Sequence, residues 1–142
     1  MSQLRWIVAG LVFGISAGLL KIIFFPSPEY DPPAIYPAII AFLISALLWR
    51  IIPRIENTIL LTFYGGIAGA IVGWITPVLM WPVFLFILAL SLNKFPELFF
   101  WSPVYMSLSL YQASQLTAIL GFLLGVVLIN FQRKAGSISK NP

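Results

Sequence analysis

The stretch TILLTFYGGIAGAIVGWIT, residues 58–76, sets Gly65, Gly69 and Gly73 four positions apart, so on a helix they stack along one ridge. In a water-soluble helix each such glycine costs about 1 kcal/mol relative to alanine. Three in register make sense where close backbone approach outweighs propensity, as between helices in lipid. Gly10, Gly14 and Gly18 repeat the spacing, and nine of the ten glycines stand in apolar runs. The sequence therefore predicts an all-α fold, a polytopic transmembrane bundle of four to six hydrophobic segments with glycine-ridge helix packing.

Composition points the same way. Hydrophobic residues make up 61% of the 142 and charged ones 8%, against roughly 25% charged in a soluble domain. Mean hydropathy is +1.01, which excludes a water-soluble fold and predicts one integral membrane domain over residues 1–142. The net charge of +4 comes from basic residues placed near the ends of apolar runs. They form no continuous basic face, so they read as topology signals and not as a nucleic-acid surface. Cysteine and histidine are both absent. That removes disulfides, thiolate chemistry, the commonest metal ligands and the commonest proton shuttle, and the sequence predicts no catalytic, metal or cofactor site.

Working outward from the central ridge, three spans are expected at about 5–25, 34–52 and 57–75. The first is too long for a signal-peptide core and ends in KIIFFPSP with no small-residue cleavage site. PSPEYDPP, with Glu29 and Asp31, breaks the chain before the second span, which tolerates Pro37 in its first turn. Ala34, Ala38, Ala41 and Ser45 give that span a small-residue side. Arg50 and Arg54 flank Pro53 in a short turn and mark the cytoplasmic side, and Glu56 suits the N-terminus of the third helix. Thr76-Pro77 is expected to end the ridge helix, with a shorter fourth span at about 77–93 kinked by Pro82.

The block at 98–131 reads as one long or two short helices, with small residues recurring at Ser109, Ala113, Thr117, Gly121 and Gly125. The tail at 132–142 is basic and reads as disordered. The first and third spans share a glycine spacing and are each followed by a proline-bearing break, though any two membrane hairpins look alike.

Lys and Arg placement bears on the number of crossings. Six crossings put seven basic residues inside against Lys21 alone, five give four against four, and four give six against two. The N-terminus is cytoplasmic in each. The rule favours a cytoplasmic C-terminus too, while six crossings need a turn near Gln112 to Gln115 where no strong turn residue stands. The setting is the plasma (inner) membrane or an equivalent internal membrane.

The candidate residues follow. Gly10, Gly14, Gly18, Gly65, Gly69, Gly73, Gly121 and Gly125 are expected to pack helices, the first and third spans crossing in parallel through their ridges. Lys21 is the one ionisable side chain inside an apolar run, and near the run's end it is expected to snorkel. Gln112 and Gln115, with Ser114 and Thr117, would line a polar path or bond between helices if the last block is one helix. Trp49, Trp74, Trp81 and Trp101 fall near predicted ends, as an aromatic belt requires. No acidic residue lies well inside a span, which disfavours proton-coupled transport and enzyme chemistry. The expectation is a small non-catalytic accessory, assembly or structural subunit, the alternative a small oligomeric transporter or channel. Its partners are the bilayer and other membrane helices, in a homo-oligomer or a membrane complex.

Overall fold

The structure, a computed structural model, describes residues 2–24, 33–52, 56–92, 103–104, 108 and 113–138. Among these the fold is all-α, with four helices: α1 (Ser2–Phe24), α2 (Ile35–Ile51), α3 (Thr58–Leu92) and α4 (Ser114–Ile138). The stretches Leu4–Ile23, Thr58–Ser91 and Ser114–Lys134 are each long and apolar enough to cross a membrane, and the shorter α2 is largely apolar, with Arg50 in its last turn. At 1.5 Å per residue α1 is about 34 Å long and α3 about 52 Å, against a hydrocarbon core near 30 Å.

Large aliphatics cover the outside of the helices and small residues stand where paired helices meet, with Phe13, Trp49, Leu128 and Ile129 buried between the pairs. On α2 the row Ile35, Ile39, Leu43, Leu47 and Ile51 is exposed while Ala41, Ser45 and Ala46 are buried. On α3 the row Ile59, Phe63, Ile67 and Ile71 is exposed, and on α4 the row Ile119, Leu123, Val127 and Phe131. Such a distribution is compatible with a membrane, where lipid would offer large aliphatics as apolar a setting as a protein core does and the seams are left to residues that let backbones approach.

Two antiparallel pairs result. In the first, a Cβ built on Gly10 would stand 2.8 Å from the Phe42 ring and one on Gly14 2.9 Å from the Ala38 carbonyl oxygen. In the second, a Cβ on Gly65 would meet Ile129 Cγ2 at 2.6 Å, one on Gly69 would fall on the Gly121 carbonyl, and one on Gly73 on the Thr117 carbonyl. The converse holds, with Gly121 set against Gly69 and Gly125 against Gly65. The parallel crossing of the α1 and α3 ridges expected from sequence is thus replaced. Gly10, Gly14 and Gly18 face α2, and Gly65, Gly69 and Gly73 face α4. The physical reason is that Ala34 and Ala38 on α2, and Thr117, Gly121 and Gly125 on α4, supply complementary small surfaces. The α1–α2 pair is also joined by a short connection that makes sequence neighbours antiparallel.

A second correction concerns Thr76-Pro77, which does not end the ridge helix: α3 runs on to Leu92 with Pro77 and Pro82 inside it. Proline at 77 lacks the N–H that would bond the carbonyl four residues back, at Gly73. Thr117 Oγ1 of α4 donates to that carbonyl at 2.6 Å, so the orphaned acceptor is satisfied across the pair. The Ala113 carbonyl lies within 2.8 Å of the same hydroxyl, but it is an intrahelical acceptor, whereas Gly73 has lost its own donor. Substituting Thr117→Val is expected to destabilise the pair by about 1 kcal/mol. In a Pro77→Ala background, where an N–H returns, the cost should fall below half of that. A double-mutant cycle by denaturant unfolding in mild detergent reads the difference, and equal costs in both backgrounds would refute the pairing.

The tail differs as well. Residues 132–138, expected to be disordered, continue α4, tied down by bonds that Gln132 and Arg133 make to other helices. At the start of α3 it is Asn57 that caps, its Oδ1 accepting from the Ile59 N–H at 3.0 Å and the Leu60 N–H at 3.5 Å.

Candidate functional site

The two pairs lean together, closed at one end by hydrogen bonds and spaced around a cavity toward the other, where Tyr36 of α2 still meets Phe84 of α3 with ring centroids 5.4 Å apart. At the closed end α1, α2 and α4 are joined by one side chain, Gln132. Its Oε1 accepts from Trp49 Nε1 at 3.1 Å, and its Nε2 donates to the Arg5 carbonyl at 3.2 Å. Trp49 is buried against Phe13, ring centroids 5.4 Å apart, within a core of Ala9, Ala41, Ala68, Val72, Leu128 and Ile129. The belt position expected for Trp49 is thus replaced by a core position. Its neighbour on α4, not its closeness to a helix end, decides its placement. Trp74 is exposed, Trp81 half-buried, and Trp101 lies outside the described residues.

Between α3 and α4 the same end carries Arg133 Nη1 donating to Thr58 Oγ1 at 2.6 Å. Thr62 Oγ1 bonds its own helix at Thr58 O, 2.8 Å away, and lies 3.2 Å from Asn130 Oδ1.

At the other end the pairs enclose a cavity of about 380 Å³ walled by all four helices. Phe13, Ala17 and Leu20 of α1, Pro37 and Ala41 of α2, Val72 and Met80 of α3, and Leu120 and Leu124 of α4 make it overwhelmingly apolar. Its polar lining is Ser16, Lys21, Thr76 and Thr117. Thr76 Oγ1 donates to Val72 O at 2.6 Å, and Thr117 serves Gly73, so both hydroxyls are held by backbone carbonyls. Lys21 is only 9% exposed. It stands on the cavity wall inside the bundle, whereas Ile22 and Ile23 beside it are exposed.

The other residues of the expected polar path are not gathered here. Gln115 is exposed at the start of α4 and Gln112 lies outside the described residues. Ser114 is fully buried, its hydroxyl without a hydrogen-bond partner among the described residues. Glu29 and Asp31 also lie outside them, and among the described residues no three Asp or Glu side chains gather to hold a metal.

Sequence alone leaves two contributors unnamed, Gln132 and Asn57, and gives Thr117 no partner. Gln132 falls in the expected tail, although a glutamine two residues after Asn130 in an apolar helix is itself a sign of interhelical bonding. Asn57 carried a cap signal in the order Asn-Thr-Ile-Leu. The task of Thr117 could be found only by setting its four-residue row against that of Gly73.

These features fit a small membrane protein of apolar helices, and no protein-family model, curated protein or solved structure matches the chain.

Proposed function

We propose that this is a multi-pass protein of the plasma (inner) membrane or an equivalent internal membrane, with four crossings, both termini cytoplasmic, and an accessory, assembly or structural role without catalysis of its own. The observation that carries this reading is the use made of the polar side chains. Ser45 donates to Ala41 O at 2.6 Å, Thr76 and Thr117 hold carbonyls of α3, and Trp49 and Gln132 tie α2 to α4 and α1. Groups engaged in this way make a framework. The two antiparallel pairs support four crossings, because α3 passes Pro77 without turning back, and six basic residues then lie inside against two outside. The glycine ridges act within the chain as its internal frame, so a partner meets the exposed rows of Ile, Leu and Phe. The cavity between the pairs favours a second reading, a small oligomeric transporter or channel.

One fusion tests both levels. A fluorescent reporter that matures only in the cytoplasm, placed after Pro142, is expected to be bright. The same reporter, used as a handle in mild-detergent purification from the native host, should bring other membrane proteins at fixed stoichiometry. A dark reporter on a well-inserted chain would overturn the topology, and a homo-oligomer alone would move the reading to transport.

A further inference from the structure

We propose that the cavity between the two helix pairs holds one acyl chain of an anionic phospholipid, with the head group at Lys21. The proposal rests on the membrane setting but is independent of the accessory role.

Three features of the cavity point to this occupant. The first is polarity along its length. The wall contributed by α1 runs from Phe13 to Ile23, about 15 Å of helix, with Lys21 in the last turn and only Ser16 polar below it. A cationic end at the helix terminus and an apolar body toward the middle of the bundle match a lipid in orientation: the head lies level with the interface and the chain descends beside Ala17 and Phe13.

The second is charge. Lys21 is buried to all but 9% of its surface, and among the described residues no Asp or Glu lines the cavity. With three donors the Lys21 ammonium can hold a phosphate oxygen in addition to its contact within the chain.

The third is access and size. Leu19 and Ile23, which line the cavity, are also among the exposed residues of α1, so the cavity meets the lipid-facing surface along that edge. Its 380 Å³ lies within the range of ligand-holding pockets. A free phosphate or other small anion would leave this apolar volume unfilled, which is why the chemistry selects a lipid.

The experiment is lipid retention by native mass spectrometry. Protein purified in mild detergent is equilibrated with equal amounts of phosphatidylglycerol and phosphatidylcholine, which share acyl chains and a phosphate and differ in net charge. The wild-type chain should retain one phosphatidylglycerol, preferred over phosphatidylcholine by at least about fivefold, the factor expected for one basic residue near a membrane surface. Lys21→Gln should erase the preference, with Lys21→Met giving the same reading should the glutamine variant fail to fold, and Lys21→Arg should keep it. Ala17→Phe leaves the charge in place and puts a ring into the cavity, so it should markedly lower retention of both lipids. Equal retention of the two lipids by the wild-type chain would overturn the proposal, as would a preference that survives Lys21→Gln or Lys21→Met. Undiminished retention by Ala17→Phe would place the lipid elsewhere on the bundle and overturn it equally. None of these outcomes depends on which proteins co-purify, so the lipid site and the accessory role succeed or fail separately.

Discussion

Replacing Gly69 by alanine is expected to force α3 and α4 apart and destabilise the bundle by about 3 kcal/mol, the upper part of the usual cost of overpacking. The added methyl would fall on the Gly121 carbonyl, 2.8 Å from its carbon and 3.1 Å from Gly125 Cα. These are backbone atoms and cannot rotate aside. Alanine is the better helix former by about 1 kcal/mol, so the local effect and the packing effect have opposite signs and the larger one decides.

The same comparison ranks the other ridge. At Gly14 the obstacle is again backbone, the Ala38 oxygen at 2.9 Å, so Gly14→Ala should also destabilise, by less than at Gly69. At Gly10 it is the Phe42 ring at 2.8 Å, a side chain that can shift, and the cost should be smaller still. At Gly18 the nearest atom is Ala38 Cβ at 3.4 Å, and alanine there should be neutral or slightly stabilising. Thermal unfolding in mild detergent reads the order. For a chain of this size about 3 kcal/mol corresponds to a drop on the order of 10 °C. A Gly69→Ala variant that melts with the wild type, or below which Gly18→Ala melts, would show that close approach does not hold α3 to α4.

The second large effect is expected at the closed end. Trp49→Ala removes a side chain that is 3% exposed, packed at a tilt against the Phe13 ring, and the donor to Gln132. Loss of a buried aromatic of this size costs about 3–5 kcal/mol. Trp49→Phe retains most of the ring volume and removes only the N–H, so its cost should be about 1 kcal/mol. In a Gln132→Leu background the phenylalanine substitution should cost less, because the acceptor it leaves unpaired is already gone. Denaturant unfolding in detergent separates the terms. Equal stability of Trp49→Ala and Trp49→Phe would mean that the ring does not organise this end, and the bundle would then be held by its glycine seams alone.

Helical class and membrane compatibility follow from long apolar runs with few charges, and the four-residue spacing of small residues defines a face on each helix whatever surrounds it. The small side at Ala34 and Ala38 and the row Thr117, Gly121, Gly125 were both visible before any fold was known.

What sits opposite each face was decided only by tertiary structure. Spacing along one helix carries no information about a residue far along the chain, so the ridges of α1 and α3 looked suited to each other until α2 and α4 supplied closer complements. Pro77 shows the same limit. The rule that proline stops a helix assumes that the freed carbonyl finds no donor, and here the donor is Thr117, 44 residues from Gly73. Trp49 and Lys21 stand near helix ends in the sequence, yet both are buried, one by Phe13 and Gln132 and the other on a cavity wall shared by four helices. The sequence by itself determined which residues lie on one face of each helix, because the helical repeat is local. Only the tertiary structure decided which faces meet, which carbonyls are rescued and where a cavity is left, because each depends on side chains from different helices arriving at one place.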